Sequence, residues 1–312
     1  MEAGVRYAPR SATVTPTTIA APRARAGVRT LVSDYFEMTK PKVQTLLLLT
    51  TIVSMYVAGT PSLGLVLVTC LGGALSAGGA GAINHLFDRD IDQLMTRTAD
   101  RPVASGRVSP AAALIYGAGL CCASFLLLTF AVNVLAASLA LSGFLGYVFV
   151  YTVWLKRSTP QNIVIGGAAG AVPPLVGWAA VTGSVSVDAL LLFAIVFFWT
   201  PPHFWALSLL MKDEYARAGV PMLPVVRGEA VTRRHILIYT LMLIAVTLTP
   251  VATGLFGAFY AAAAVLLGAA FVVMAAKLQG QVERRPALRT YLFSLAYLAL
   301  LFAAMVVDAR VF

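Results

Sequence analysis

Nine long apolar stretches constrain this chain more than any other feature of its sequence. Each is close to the roughly 20 residues that a helix needs to cross the hydrocarbon core of a bilayer. Hydrophobic residues make up 59% of the 312 residues and charged residues only 12%, a balance far from that of soluble domains. Membrane-crossing helices are therefore predicted at residues 43–59, 63–83, 112–130, 134–152, 162–181, 188–205, 236–256, 258–276 and 288–307.

The joins between several stretches are very short, which determines how neighbouring stretches run. The sequences TPSL at 60–63 and AVN at 131–133 leave room only for antiparallel helical hairpins. A helix pairs its own backbone groups, whereas a lipid-exposed strand edge leaves them unpaired. Ten-residue segments of alternating polarity, typical of a membrane barrel, do not occur in the sequence. The predicted fold class is an all-α, polytopic membrane protein.

Lysine and arginine residues fall on one side of the predicted bundle. With the N-terminus inside, all of the 23 basic residues except Arg289 and Arg310 lie in inside segments. This bias predicts a cytoplasmic N-terminus and a C-terminus on the outer side. The net charge of +10 therefore lies mainly on the predicted cytoplasmic face, which meets anionic lipids and substrates. A basic module interleaved with aromatic residues is missing, so the lipid bilayer is an expected partner and nucleic acid is not.

The N-terminal residues differ in composition from the rest of the chain. Residues 1–33, rich in Ala, Thr, Pro and Arg, are predicted to form a disordered cytoplasmic tail. An organellar transit peptide has a similar composition, but Pro9, Pro16 and Pro22 would interrupt its amphipathic helix. Residues 34–312 are predicted to form one nine-helix domain, and the short leader favours a bacterial cell membrane.

The second apolar stretch ends in the densest charge cluster of the chain, NHLFDRDIDQLMTRTADRP at 84–102. If the helix continues for one or two turns, Asn84, Asp88 and Asp92 share one face at steps of about 6 Å, with Asp90 facing elsewhere. Carboxylate and amide oxygens at this spacing are the hard ligands that Mg²⁺ prefers when it is shared with phosphates. These three residues are the predicted catalytic metal ligands.

Basic residues near this cluster are predicted to bind a diphosphate. Arg97 and Arg101 lie four residues apart, and Lys40 and Lys42 stand at the start of the first stretch. Guanidinium and ammonium groups are suitable donors to phosphate oxygens. The predicted diphosphate ligands from this part of the chain are Lys42, Arg97 and Arg101.

Two simpler interpretations compete for the same cluster. A charged loop after a membrane span is commonly a solvated cap, and this interpretation stays open. The sequence DRDID resembles the start of an EF-hand, but Gln93 and Ala99 occupy the positions that need Gly and Glu. Small residues in LSAGGAGAIN at 75–84 favour a binding site, because they let neighbouring helices approach closely.

A second acidic loop follows the sixth stretch on the same predicted face, within residues 201–228. Its acids are Asp213 and Glu214, which lie beside Lys212 and Arg217, and Lys212 is a further predicted diphosphate ligand. Two acidic clusters on one face can hold metal on both sides of a diphosphate.

His203 follows two prolines in an apolar run, where a lone histidine is more often structural than ligating. Its neighbours Trp199 and Trp205 would suit a flat aromatic substrate, although aromatic residues at a membrane interface are commonly anchors.

The pattern N-x-x-x-D-x-x-x-D followed by RT..RP, the second acidic loop and the nine spans resemble the UbiA-type intramembrane prenyltransferases. That family joins an isoprenoid diphosphate to an aromatic acceptor. The segments MTKPKV at 38–43, 84–102, LKRSTPQNIVIGGAAGAVPPLVGWAAVTG at 155–183 and PPHFWALSLLMKDEYARAGVPMLPVV at 201–226 are most similar to its heme-farnesylating branch. The resemblance covers about residues 34–308.

The resemblance implies nine helices around a central cavity that opens to lipid, with the acidic loops at its cytoplasmic end. It implies farnesyl diphosphate and protoheme IX as substrates, Mg²⁺ as cofactor and His203 as a heme-binding residue. It also implies handover of the product to heme A synthase or to a terminal oxidase assembly factor. The second motif departs from the superfamily pattern, since Arg217 stands where a second aspartate is usual. The catalytic metal ligands carried over from the family are Asn84, Asp88, Asp92 and Asp213.

Two other functions remain open on the sequence. A prenyltransferase acting on another aromatic acceptor, such as a hydroxybenzoate or a quinone precursor, would use the same metal site. An ion-coupled transporter would instead carry its acids near the bilayer midplane on broken helices. The acids of this chain lie at one end of the predicted spans, which favours the enzyme.

Overall fold

A computed structural model describes residues 28–280 and 283–311, and this part of the chain is almost entirely helical. Nine of its helices are long and apolar enough to cross a membrane, which confirms the predicted number of spans and the all-α class. The elements in chain order are α1 (Val28–Met38), α2 (Pro41–Ala58), α3 (Leu63–Phe87), α4 (Arg89–Gln93), α5 (Pro110–Ala131), α6 (Val134–Leu145), a π-helix (Gly146–Leu155), α7 (Lys156–Ser158), α8 (Asn162–Thr182), α9 (Val187–Leu210), α10 (Lys212–Arg217), α11 (Leu223–Val226), α12 (Glu229–Ala252), α13 (Ala258–Lys277) and α14 (Arg284–Val311).

The first helix begins before residue 34, where the N-terminal tail was predicted to end. Helix α1 begins at Val28, so residues 28–33 are helical, and residues 1–27 lie outside the described part of the chain. Two contacts hold α1 against the bundle. Met38 is fully buried, and the Asp34 carboxylate accepts a hydrogen bond from Nε of Arg107 at 2.9 Å. Both contacts involve residues that follow the Pro-rich segment, so the composition of that segment did not predict them.

Small residues bring α3 very close to its neighbours, as the LSAGGAGAIN segment predicts. A methyl group added at Gly79 would lie 2.6 Å from the carbonyl oxygen of Gly117 on α5. One added at Gly81 would lie 2.8 Å from the carbonyl oxygen of Met38. Because neither position has room for a larger side chain, the end of α3 is fixed against both α5 and the α1–α2 junction.

The fourth span contains ten residues of π-helix between α6 and α7. Longer π-helical segments are rare, and such irregularities are frequent at functional sites. The hydroxyl of Thr152 donates to the carbonyl oxygen of Tyr147, five residues earlier, at 2.9 Å. This segment delivers side chains of the fourth span to the end of α3.

Asp308 ties helices together at the end of the bundle opposite the charged loops. Its carboxylate accepts hydrogen bonds from the backbone N–H groups of Gly257 at 2.7 Å and Tyr260 at 2.9 Å. An anion at this place satisfies unpaired donors and interacts favourably with the positive end of α13.

Asp308→Ala is expected to destabilise the protein by about 2 kcal/mol, measured as a lower thermal midpoint in detergent. Asp188→Ala, in the first turn of α9, is the control, and an equal shift for both variants would contradict the capping role.

Candidate active site

The first motif forms one buried stripe across the junction of α3 and α4. The backbone N–H of Asp88 donates to Asn84 at 2.9 Å, and that of Asp92 donates to Asp88 at 2.7 Å. The i to i+4 spacing therefore persists although α3 ends at Phe87. All three side chains are buried, whereas the Asp90 side chain is 61% exposed and pairs with Arg157 at 2.7 Å. Hydrogen bonding from Arg157 lowers the pKa of Asp90 to about 2.

Each member of the stripe has a cationic partner. Oδ2 of Asp88 accepts from Nζ of Lys156 at 2.5 Å and from Nδ2 of Asn84 at 2.7 Å. Nη1 of Arg101 donates to both carboxylate oxygens of Asp92 at 2.8 Å. Nζ of Lys40 donates to Oδ1 of Asn84. The buried carboxylates are thus neutralised within the protein, which burial of charge requires.

Lys40, not Lys42, is the lysine of the α1–α2 junction that reaches the stripe. Lys42 lies exposed on the first turn of α2, so the structure does not bring this predicted diphosphate ligand to the cluster. Lys40 adopts a left-handed backbone with φ of 55°, which costs roughly 1–2 kcal/mol in a residue other than glycine. Such strain is characteristic of functional sites. Burial lowers the pKa of the Lys40 ammonium to about 7, with a smaller contribution from the charge of Arg101.

Lys156 was not predicted as a site residue. It follows the π-helix and lies 91% buried, with its ammonium between the fourth span and the end of α3. The only sequence signal for it is its position in a short basic segment at the same membrane level as the first motif. Its partner could not be inferred, because the π-helix shifts the helical phase on which such an inference depends.

The second loop meets the first through an apolar cluster. Ile91 and Met95 of the first loop pack with Tyr215 and Met222 of the second. Burial raises the pKa of the Tyr215 phenol, and the positive charges of Arg97 and Arg101 oppose this shift, so these side chains are close. Arg97, which is exposed, and Arg101, which is half-buried, are therefore near enough to Tyr215 to act on it electrostatically.

Asp213 and Glu214 have different surroundings, and the metal-binding role predicted for Asp213 stays a prediction. Asp213 is exposed and lines a separate cavity of about 160 Å³ between α9, α10, α12 and the start of α14. Lys212 points to the same cavity and pairs with Glu229 at 3.2 Å. Glu214, which precedes Tyr215 in the chain, is half-buried. Its Oε2 is buried and has no hydrogen-bond partner among the described residues.

His203 is held in an aromatic stack on α9. Its ring lies 4.3 Å from the ring of Trp199 and 4.8 Å from that of Tyr291, measured between centroids. Nδ1 is 2.7 Å from the hydroxyl of Ser294, and that hydroxyl donates its hydrogen to the carbonyl oxygen of Tyr291. Ser294 must therefore accept from Nδ1, which leaves the lone pair of the neutral ring on Nε2. This is the arrangement of histidines that bind metals, whose other nitrogen donates to an orienting group.

A family model described as the UbiA prenyltransferase family matches residues 47–304. The chain belongs to this family. The match includes α3, the π-helix, α10 and most of the last span, so it covers every element of the candidate site except the α1–α2 junction.

Two curated relatives of the chain carry the same name. The chain is 55% identical over 288 residues to the protoheme IX farnesyltransferase of Roseiflexus sp. strain RS-1, covering 92% of this chain and 54% of the relative. It is 50% identical to the protoheme IX farnesyltransferase of Marinobacter nauticus, covering 89% and 93%. The chain thus spans about half the length of the Roseiflexus relative and nearly all of the Marinobacter relative.

Solved UbiA-type structures share the fold. A digeranylgeranylglyceryl phosphate synthase superposes with a TM-score of 0.74 at 18% identity, covering 90% of this chain and 99% of that one. A UbiA homologue from Archaeoglobus fulgidus, solved with GPP and Mg²⁺ bound, superposes with a TM-score of 0.66 at 16% identity, covering 87% and 99%. These similarities show that the chain shares their fold, while the predicted central cavity stays a prediction.

The donor set of the first motif fits a magnesium ion shared with a phosphate ligand. Oδ1 of Asp88 is buried and has no hydrogen-bond partner in the described part of the chain. In residues 28–280 and 283–311, no three Asp, Glu, His or Cys side chains converge to hold a metal by themselves. The stripe offers two carboxylates and one amide, which is too few for a complete shell of protein ligands. Mg²⁺ commonly completes such a shell with substrate phosphates and water.

Proposed function

We propose that this chain transfers the farnesyl group of farnesyl diphosphate to a vinyl group of protoheme IX, giving heme O and diphosphate. The observation that carries the proposal is the buried stripe of Asn84, Asp88 and Asp92, matched by Lys40, Lys156 and Arg101. Relatives about 50% identical to the chain are named protoheme IX farnesyltransferase. Two observations favour protoheme as the acceptor: the similarity to these relatives, and His203 of α9, whose ring stacks on Trp199 and Tyr291.

The chain's own cations would bind the diphosphate. Lys156 and Arg101 are paired with Asp88 and Asp92, so an incoming diphosphate competes with these carboxylates for the same donors. When the cations turn to phosphate oxygens, the carboxylates become free to act as ligands. We propose Lys40, Lys156, Arg101 and Arg97 as the diphosphate ligands.

Mg²⁺ held by Asn84, Asp88 and Asp92 would supply the positive charge that stabilises the leaving diphosphate. Glu214 is the acid of the second loop that we propose to act beside them, in place of Asp213. Its buried, unpaired carboxylate oxygen supports this choice. The protein contributes no nucleophile, and its catalytic role is electrostatic.

Ionisation of the allylic carbon–oxygen bond leaves both bonding electrons on the diphosphate and a cation on the farnesyl chain. The terminal carbon of a protoheme vinyl group then forms the new carbon–carbon bond with its π electrons. A water molecule adds to the resulting benzylic-type cation and loses a proton, which gives the hydroxyethylfarnesyl substituent. Water must be excluded until the carbon–carbon bond has formed, and apolar surroundings achieve this.

Protoheme would be oriented by His203. Its Nε2 lone pair is the one ring position left to bind iron, because Nδ1 donates to Ser294. Trp199 and Tyr291 hold the imidazole ring on both faces. We therefore propose His203 as an axial heme ligand rather than only a packing residue.

The chain is a multi-pass membrane protein, and we propose that it lies in a bacterial cell membrane. The named relatives come from bacteria such as Roseiflexus and Marinobacter. The distribution of basic residues supports a cytoplasmic N-terminus and an outer C-terminus. Heme O is poorly soluble in water, which supports direct handover to heme A synthase or an oxidase assembly factor.

Removal of metal tests the proposed reaction. Membranes containing the protein are incubated with labelled farnesyl diphosphate and protoheme, with and without EDTA, and the porphyrins are separated by chromatography. We expect label in a more hydrophobic heme, at least tenfold less label with EDTA, and restoration by excess Mg²⁺. Label transfer to a hydroxybenzoate but not to protoheme would identify another acceptor. Transfer that is unaffected by EDTA would contradict the metal-assisted mechanism.

A further inference from the structure

Thr152 lies in the π-helix and is fully buried in contact with Asn84 of the stripe. Its hydroxyl takes part in two hydrogen bonds. It donates its hydrogen to the carbonyl oxygen of Tyr147 at 2.9 Å and accepts from Nδ2 of Asn84 at 3.0 Å. A hydroxyl with its hydrogen already committed can only accept from a third group. The bond to Asn84 therefore has a fixed direction.

The amide of Asn84 is consequently oriented by its neighbours. One Nδ2 hydrogen goes to Oδ2 of Asp88 and the other to Thr152. Oδ1 then faces Lys40, which can only donate. A rotation of the amide by half a turn would exchange oxygen for NH₂, and an NH₂ group cannot bind a metal cation. The amide is therefore a ligand only in the orientation that is observed.

We propose that Thr152 is a positioning residue that keeps the oxygen of Asn84 toward the metal throughout the reaction cycle. This assignment depends on the proposed function in one respect, which is that Asn84 is a metal ligand. Asp88 and Lys40 also orient the amide, but both acquire new partners when metal and diphosphate bind. Thr152 is fully buried and its hydroxyl already bonds Tyr147 and Asn84, so it can hold the amide when the other two change partners.

The π-helix gives Thr152 this position. In an α-helix, residues five apart are separated by about 140° around the axis. Bonding from residue i to i+5 in a π-helix instead brings them onto adjacent turns. Tyr147, whose hydroxyl accepts from Lys40 at 3.3 Å, and Thr152, which accepts from Asn84, therefore face the same site. The π-helix thus allows Tyr147 to contact Lys40 of the α1–α2 junction while Thr152 contacts Asn84 of the stripe.

The test compares Mn²⁺ binding to three variants of the full-length protein, with saturating inorganic diphosphate, by electron paramagnetic resonance. Thr152→Val keeps the shape of the side chain and removes the hydroxyl, and we expect Mn²⁺ affinity to fall by about 10- to 100-fold. Thr152→Ser restores the hydroxyl and should bind within about threefold of wild type. Thr69→Val is the matched control, because Thr69 is buried on α3 and its hydroxyl has no partner among the described residues. It should bind as wild type.

A second measurement separates positioning from a general loss of structure. In an Asn84→Asp background, either orientation presents an oxygen, so adding Thr152→Val should lower Mn²⁺ affinity by less than about twofold. An equal loss in both backgrounds, or wild-type binding by Thr152→Val, would overturn the assignment. A wild-type protein that binds no Mn²⁺ with diphosphate would instead overturn the metal site of the proposed function.

Discussion

Asp88→Asn is expected to lower the rate of farnesyl transfer by about 10³-fold while the protein still folds and inserts. The substitution keeps the size of the side chain but removes the charge that Lys156 neutralises and that the proposed metal needs. The loss should appear mainly in the maximal rate, because the cation that Asp88 would hold stabilises the leaving diphosphate most strongly as negative charge develops on it. Initial rates with labelled farnesyl diphosphate, normalised to the amount of folded protein, measure it.

Asp90→Asn is the matched control, since Asp90 lies in the same motif but faces away from the stripe. Its side chain is exposed and pairs with Arg157, and an exposed ion pair contributes about 1 kcal/mol or less. The rate should therefore fall by no more than about fivefold. If Asp88→Asn retained a tenth of wild-type activity, or if Asp90→Asn were equally inactive, the assignment of the stripe would be wrong.

His203→Phe is expected to abolish the change in the heme absorption spectrum that accompanies binding to the protein. Phenylalanine preserves the stack between Trp199 and Tyr291 but has no nitrogen for iron. Binding of Mn²⁺ with diphosphate should remain within about twofold of wild type, because no contact joins His203 to the stripe in the described residues. Heme titrations followed by absorption spectroscopy give the direct measurement.

Two further variants show which property of His203 matters. Ser294→Ala removes the partner of Nδ1 and should weaken heme binding by about tenfold, since the orienting hydrogen bond is lost. His235→Phe is the control on α12, where Nδ1 lies 2.8 Å from the carbonyl oxygen of Val231. A wild-type heme spectrum for His203→Phe would remove the axial-ligand role and leave His203 as a packing residue.

The sequence was sufficient to predict the elements that depend on long-range hydrophobic pattern. All nine spans lie where apolar runs predict them, because a bilayer demands about 20 apolar residues per helix whatever the protein does. The four-residue spacing of Asn84, Asp88 and Asp92 was also readable, because the helix continues through the α3–α4 junction with its hydrogen bonds in step.

The details that the sequence did not predict depend on helical phase and on single backbone angles. Asp213 and Glu214 are neighbours in the six-residue helix α10, and a helix turns about 100° per residue, so Asp213 is exposed whereas Glu214 is half-buried. No periodic pattern fixes the phase of so short a helix. Lys40 reaches the stripe instead of Lys42 because of one left-handed residue at the start of α2.

Lys156 and Thr152 were missed for a related reason. Both depend on ten residues of π-helix inside an apolar span. Every residue of that span except its last few is apolar or small. Its hydrophobic pattern therefore does not show which face of the helix is buried, and a π-helix cannot be distinguished from an α-helix on that pattern. The side chains that complete the site therefore come from the segment where sequence periodicity is least informative.

Anomalous diffraction from crystals grown with Mn²⁺ and a thiolo analogue of farnesyl diphosphate would test the location of the catalytic centre most directly. We expect a manganese peak among the oxygens of Asn84, Asp88 and Asp92, with Lys156 and Arg101 moved from their carboxylate partners to the diphosphate. A peak in the cavity lined by Asp213, Glu229 and Glu283, with the stripe still paired to Lys156 and Arg101, would contradict it.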